Sequence, residues 1–245
     1  MMDQPPPALS LSAVDTCYDH LLRAIVSGRL AVGHRLPPER SLAAQLSVNR
    51  TTLRSALTRL DAAGLIVARQ GSGTVVRDFR HAAGPELVPE LLRHASNLDD
   101  RRRQVDDLLL MRRQMSAAVL ARLAAGVTPR ARLHVAAAVE TLAMAIAQGA
   151  DLGRIAEADL AVFAAVLDAV DSPVLALCLN PLNDVVRRSA PLRAAMYAHP
   201  QRHVQGWLEL CDWLAAPDGA AIGWLLAAID ERDAATLAAL NAGEP

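Results

Sequence analysis

The chain has 245 residues, 52% hydrophobic but only 3% aromatic, which fits two modest domains whose cores are filled by Ala, Leu and Val on closely packed helices. All 25 basic residues are arginine, against 26 acidic ones. Without a lysine no Schiff base to pyridoxal phosphate can form, so a domain of aminotransferase type is excluded. No apolar run reaches the length of a membrane span, and Cys17, Cys178 and Cys211 lack disulfide or metal spacing, so reduced thiols in a cytoplasmic protein without membrane contact are expected.

The first 12 residues, with Pro5-Pro6-Pro7, read as a disordered tail rather than a signal peptide. Tyr18, Leu21, Leu22 and Ile25 recur at helical spacing, which predicts an amphipathic helix from about 13 to 28, closed by Gly28. Gly33 and His34 turn the chain into Leu36. Pro37 and Pro38 suit a helix entry, and Ser41 to Leu46 form a short helix. Ser47-Val48 is a turn, and Asn49 is the N-cap of a second helix whose buried stripe is Leu53, Ala56, Leu57 and Leu60 and whose end is Gly64. Leu65–Arg69 and Gly73–Arg77 are short strands around Gln70-Gly71-Ser72-Gly73, which is hairpin grammar. Residues 13–80 are thus a winged helix-turn-helix.

Arg50, Thr51, Thr52 and Arg54 fall at the start of the second helix, off its buried stripe. In a helix-turn-helix that end enters the major groove. A guanidinium can grip guanine N7 and O6 bidentately, while threonine hydroxyls and helix-start N–H groups suit phosphate oxygens. Gly71 and Gly73 let a wing tip approach a phosphate or groove wall with no Cβ in the way. The alternative is that each arginine is a solvated helix charge and the hairpin an ordinary surface; the ordered set favours DNA. Charge divides accordingly: residues 1–80 hold 10 arginines against 6 acids, and residues 81–245 hold 15 against 20. A basic head and an acidic body keep nucleic acid at one end, with a modest excess that a dimer would double.

Leu36-Pro37-Pro38-Glu39-Arg40, then Arg50-Thr51-Thr52-Leu53-Arg54, then the glycine-bearing wing resemble the N-terminal domain of GntR-type bacterial transcription regulators over residues 13–80. The resemblance implies base and phosphate contacts by Arg40, Arg50 and Arg54, phosphate contacts by Thr51 and Thr52 near the Asn49 cap, and a minor-groove wing at Gln70, Gly71 and Ser72. Gln70 and Ser72 stand where the fatty-acid regulators of that family carry more basic residues.

Residues 81–85, with Gly84 and Pro85, read as a linker. Beyond it no strand pattern is found. Helical periodicity recurs over 86–95, 99–125, 128–148, 151–170, 173–197, 200–215, 219–230 and 233–242, with Pro181 and Pro191 expected to kink or break the fifth piece. The expected fold is therefore mainly α: the winged helix-turn-helix, then an all-α antiparallel bundle over 86–245. Leu108-Leu109-Leu110-Met111-Arg112, Glu157-x-Asp159-x-x-x-Phe163, Asp171-Ser172-Pro173-Val174 and Tyr197-Ala198-His199-Pro200 resemble passages of the FadR-like branch of that family.

This second resemblance poses the question of a metal. Many members bind a divalent ion through one Asp and three His. Asp159 matches the Asp, but Ala164, the region of Ile222 and residues 241–244 stand where histidines are expected, so no metal or other cofactor is expected. His199 and His203, four apart, are a substitute pair or plain structural histidines. The resemblance places Arg112 at the effector pocket, where a guanidinium suits a carboxylate or phosphate. Arg113, Arg187 and Arg188 are rivals for that role, and intrahelical pairing with Asp106 or Asp184 is the competing reading. Arg112, Asp159, Phe163 and Arg188 are the effector-binding candidates. Trp207, Trp213, Trp224, Phe163 and Met111 wall a cavity or are plain core. The chain ends shortly after its last predicted helix, whereas fatty-acyl-CoA regulators run on, which argues against a long acyl chain.

Together the resemblances imply a DNA-binding regulator, by the family's commoner mode a repressor, on a palindromic operator as a homodimer. An acidic metabolite of organic-acid or acyl-CoA type would tune its affinity for double-stranded DNA. The alternative is a helical domain that only dimerises or docks. No nucleophile–base pair, phosphate loop or metal cluster suggests an enzyme.

Overall fold

The computed structural model describes residues 12–69 and 73–242, and the chain divides into two compact units that meet between Ser96 and Asn97. The expected N-terminal tail and the wing tip Gln70-Gly71-Ser72 lie outside the described residues, apart from Ser12.

In the first unit α1 (Ala13–Val26) starts at Ser12, whose hydroxyl accepts from Asp15 N–H while Asp15 accepts in return from the Ser12 N–H, a capping box. The short α2 (Glu39–Gln45) leads through Ser47 to α3 (Arg50–Ala62). Leu22, Leu53, Ala56 and Leu60 are fully buried, so α1 and α3 share one core with Leu42 and Ala43 of α2. Gly64 closes α3 with φ +73°: its N–H and that of Leu65 donate to Asp61 and Leu60 carbonyls, a Schellman ending. A Cβ there would lie 2.2 Å from the Ala82 carbonyl oxygen. The glycine is therefore needed for space as well as for its dihedral.

The wing is β1 (Ile66–Arg69) antiparallel to β2 (Gly73–Val76), in register Ile66 to Val76 and Val67 to Val75. The segment 33–36, read from sequence as a plain turn, runs along β2 as a partial third strand: Gly33 N–H donates to Val76 O, Val76 N–H to His34 O and Leu36 N–H to Thr74 O. The predicted linker is also built differently. Residues 79–82 form α4 (Phe79–Ala82), Pro85–Leu87 a 3-10 turn and Val88–Arg93 α5, and Leu87 belongs to the first unit's core. An apolar Leu87-Val88 and Leu91-Leu92 register ties this stretch down, so the change of unit comes at 96/97 rather than in the Gly-Pro stretch.

The second unit is all helical: α6 (Leu98–Ala124), α7 (Pro129–Ala147), α8 (Leu152–Val170), α9 (Pro173–Arg188), α10 (Ala190–Met196), α11 (Pro200–Ala215), a 3-10 turn at Gly219–Ala221 and α12 (Ile222–Ala242). Asn97, Thr128, Asp151, Ser172 and Ser189 cap five of these with their side chains. α7 packs along α8, α11 lies against α7, and α12 contacts α6 and α10. The fifth predicted piece breaks at Ser189, before Pro191, whereas Pro181 is carried inside α9. The last two predicted pieces are one helix. Asp233, where the last predicted piece begins, is instead buried in the middle of α12 and paired with Arg112 of α6.

Candidate nucleic-acid interface and ligand cavity

Asn49 holds the start of α3 by accepting the Thr52 N–H at 2.7 Å. Its carboxamide oxygen is thereby committed to the cap. Arg40, Arg50, Thr51 and Arg54 are exposed on the adjoining surface of α2 and α3, which brings together most of the expected reading set. Thr52 does not join it. The residue is buried beneath the helix start, where it serves the core and cap, and Thr51 alone offers its hydroxyl to solvent. Arg54 Nε donates to Glu39 at 2.7 Å, an exposed pair joining the two helices of the motif. Such a pair is worth under about 1 kcal/mol and yields readily to a better acceptor. Arg35 and Arg69, exposed beside the wing, were not singled out from sequence. Only the pairing of segment 33–36 with β2 puts Arg35 there.

In the second unit a cavity of about 110 Å³ is bounded by all its helices except α7. Leu108, Leu120, Leu160, Phe163, Leu182 and Leu225 make its wall largely apolar, Arg112, Asp159, Glu209 and Arg232 bring charge to it, and His203 adds an imidazole. Three of the four effector candidates, Arg112, Asp159 and Phe163, thus converge. Arg188 does not: it lies on the exposed end of α9, paired with Asp184 one turn back at 3.6 Å. Arg113 pairs with Asp230, and Arg187 with Glu157 at 3.1 Å. Arg112 pairs with Asp233, an interhelical partner rather than the intrahelical Asp106. Of the tryptophans only Trp207 lines the cavity. Trp213 donates to the Asp218 carbonyl, and Trp224 and Met111 are exposed.

Asp159 is the electrostatic centre of this cavity. One carboxylate oxygen accepts the Tyr197 hydroxyl at 2.9 Å, the other the Trp207 indole N–H at 2.5 Å, and His203 Nδ1 stands 3.6 Å away. His203 Nε2 lies 2.9 Å from the Met196 carbonyl, which can only accept, so that nitrogen carries a proton. Burial works to raise the Asp159 pKa; the hydrogen bond and charge of His203 outweigh it, and with help from Trp207 and Tyr197 the carboxyl is held at about 2. Tyr197, fully buried, is pushed upward by burial and by the Asp159 charge, so its hydroxyl stays a donor.

The donor set does not suit a divalent ion. Both Asp159 oxygens are engaged by protein donors, and His203 is turned to a carbonyl. His199, its expected partner, is exposed, and among the described residues no three His, Cys, Asp or Glu side chains group as ligands would. Sequence reading missed the proximity of His203 to Asp159, because it joins two helices 44 positions apart. It also missed Arg232, which sits in a Glu231-Arg232-Asp233 run that looks like an ordinary charged face.

Comparison with known proteins agrees with this anatomy. Residues 13–76 match the model of the bacterial regulatory proteins of the gntR family, and residues 107–232 match the FCD domain. The HTH-type transcriptional regulator Mce2R of Mycobacterium tuberculosis is 42% identical over 93 residues, 38% of this chain and 39% of that protein. The chain thus spans well under half the length of the first curated relatives it matches. The fatty acid metabolism regulator protein of Edwardsiella ictaluri is 30% identical over 170 residues, 69% of this chain and 67% of that one. Among solved structures, that of Lar, described as controlling expression of the Listeria monocytogenes agr system, has a TM-score of 0.59 at 17% identity, covering 98% of this chain and 100% of Lar; it supports the fold alone. With a winged helix that matches one model and a helical unit that matches the other, the chain belongs to the gntR family of bacterial regulatory proteins and carries the FCD domain.

Proposed function

We propose that this chain acts in the cytoplasm as a homodimer on a two-fold symmetric operator, by default as a repressor, and that a small acidic metabolite in the helical unit changes its affinity for DNA. The observation that carries the DNA half is the exposed group Arg40, Arg50, Thr51 and Arg54 around the capped start of α3. In this reading Arg50 and Arg54 face base edges, Arg40 and Thr51 face phosphates, and Gln70-Gly71-Ser72 lies along the minor groove between Arg69 and Gly73. Arg54 leaves Glu39 for the DNA on binding. The ligand half rests on the apolar cavity that carries Arg112 and Asp159. An effector acts only through its differential affinity for the DNA-competent and DNA-incompetent forms, and a few kcal/mol suffices. No helix among the described residues is long and apolar enough to cross a membrane, which suits a protein that works on DNA.

Gel shifts on the DNA flanking its own gene, repeated across salt, test the reading. A sequence-selective complex is expected whose affinity falls linearly with log salt concentration. Equal retention of unrelated DNA of the same length would contradict it.

A further inference from the structure

Arg232 is the anomaly of the second unit. Its Nε, like that of Arg112, is buried with no hydrogen-bond partner, but where Arg112 pairs with Asp233 the Arg232 guanidinium forms no ion pair among the described residues. Of the acids around it, Asp159 accepts from Tyr197 and Trp207 and Glu209 from Gln205, while Asp233 gives one oxygen to Arg112 and its other, Oδ2, is buried with no hydrogen-bond partner. Burial and the neighbouring positive charge of Arg112 depress the Arg232 pKa, and the charges of Asp159, Asp233 and Glu209 work against them without giving its Nε a hydrogen bond. Such a group costs stability unless something meets its donors.

Its location says what that something is. Arg232 lines the apolar cavity of about 110 Å³ and also a second cavity of about 380 Å³, the two sharing Met196 and His203 as well. A guanidinium fork at the edge of an apolar chamber suits a planar carboxylate whose tail enters the chamber. The chamber is smaller than the roughly 150 Å³ apolar cavity that admits benzene, so it takes a tail of only a few carbons. A dicarboxylate would bury its second charge against Leu120, Leu160 and Phe163.

We infer that Arg232 is the anion receptor of the ligand cavity and that its ligand is a short aliphatic monocarboxylate of about four or five carbons. The guanidinium binds the carboxylate directly, with no metal between, and the tail lies against Phe163 and the leucines. This rests on reading the helical unit as ligand-responsive, and it adds the receptor, the charge and the size of the ligand.

Thermal melting of the full chain with sodium butyrate, at ionic strength matched by sodium chloride, tests it. Butyramide, succinate and dodecanoyl-CoA serve as comparisons, on wild type, Arg232→Met and Arg232→Lys. Butyrate should raise the wild-type melting temperature by about 5–10 °C at a hundred times its Kd, and butyramide should not. Arg232→Met should abolish the shift while melting, without ligand, no lower than wild type, since it removes an unmet charge and keeps the apolar stem. Arg232→Lys should retain a smaller shift. A butyrate shift that survives in Arg232→Met would overturn the inference, as would a ligand-free Arg232→Met that melts lower, the mark of a structural ion pair. Stabilisation by succinate or dodecanoyl-CoA but not by butyrate would overturn it and leave the broader effector reading standing. If none of the four compounds shifted the melt, both would fall.

Discussion

The two units handle charge in opposite ways. On the first, the groups that matter are exposed, held by local devices and lightly paired: Arg50 and Thr51 stand free of the core, and Arg54 rests on Glu39 across an exposed bridge. In the second, charge is buried and tied across helices, with Asp159 joining α8 to α11 and Arg112 joining α6 to α12. A DNA-reading surface must exchange its partners for phosphates and bases at little cost. A ligand cavity in a helical bundle has to satisfy every polar group from inside or leave it for the ligand. The same residue type therefore means different things in the two units: Arg50 is an exposed probe, and Arg112 is a strut between helices.

The contrast can be broken most forcefully at Asp159. Asp159→Ala leaves the Tyr197 hydroxyl, the Trp207 N–H and His203 without their acceptor, and unfolding by denaturant should show a loss of about 3–5 kcal/mol. A loss below about 1 kcal/mol would mean the network is not a strut. The pH dependence sharpens the point. Its folded pKa of about 2 lies below the usual carboxylate value, so the stabilisation is complete above about pH 5 and is lost as pH falls through 4 toward 2. Its size is about 2 kcal/mol, and Asp159→Asn should remove that part of the acid limb.

On the first unit the largest stability effect should come from backbone rather than charge. Gly64→Ala places a Cβ 2.2 Å from the Ala82 carbonyl at φ +73° and should cost about 2–3 kcal/mol, read from the shift in denaturation midpoint. Asn49→Ala removes only the cap of α3 and should cost about 1 kcal/mol in the same assay. If Asn49→Ala proved costlier than Gly64→Ala, the local picture of this unit would need revision.

The sequence shows the first unit better than the second, and the reason is range. Caps, turns and the buried stripe of α3 are set by residues within a few positions, so Ser47, Asn49, Gly64 and the hairpin could be read directly. The exceptions are non-local. Thr52 looked exposed by spacing yet lies under the helix start, and segment 33–36 pairs with β2 across some 40 residues. In the second unit helix positions were legible, while partners were not. Asp233 fell at the start of a predicted helical piece, and only the 121-residue reach to Arg112 shows it as a buried acid inside α12. Arg188 and Arg112 are alike as sequence; burial separates them. Arg232 had no signal, since charge runs are ordinarily solvated faces.

The most direct test of the account is the affinity of the Arg50→Ala, Arg54→Ala double variant for the flanking DNA, measured by fluorescence anisotropy at fixed salt beside its thermal melt. The variant should melt like wild type and bind about 100-fold more weakly or worse, since each lost bidentate contact costs about 1–3 kcal/mol. Unchanged affinity in a folded variant would contradict the assignment of α3 as the reading helix.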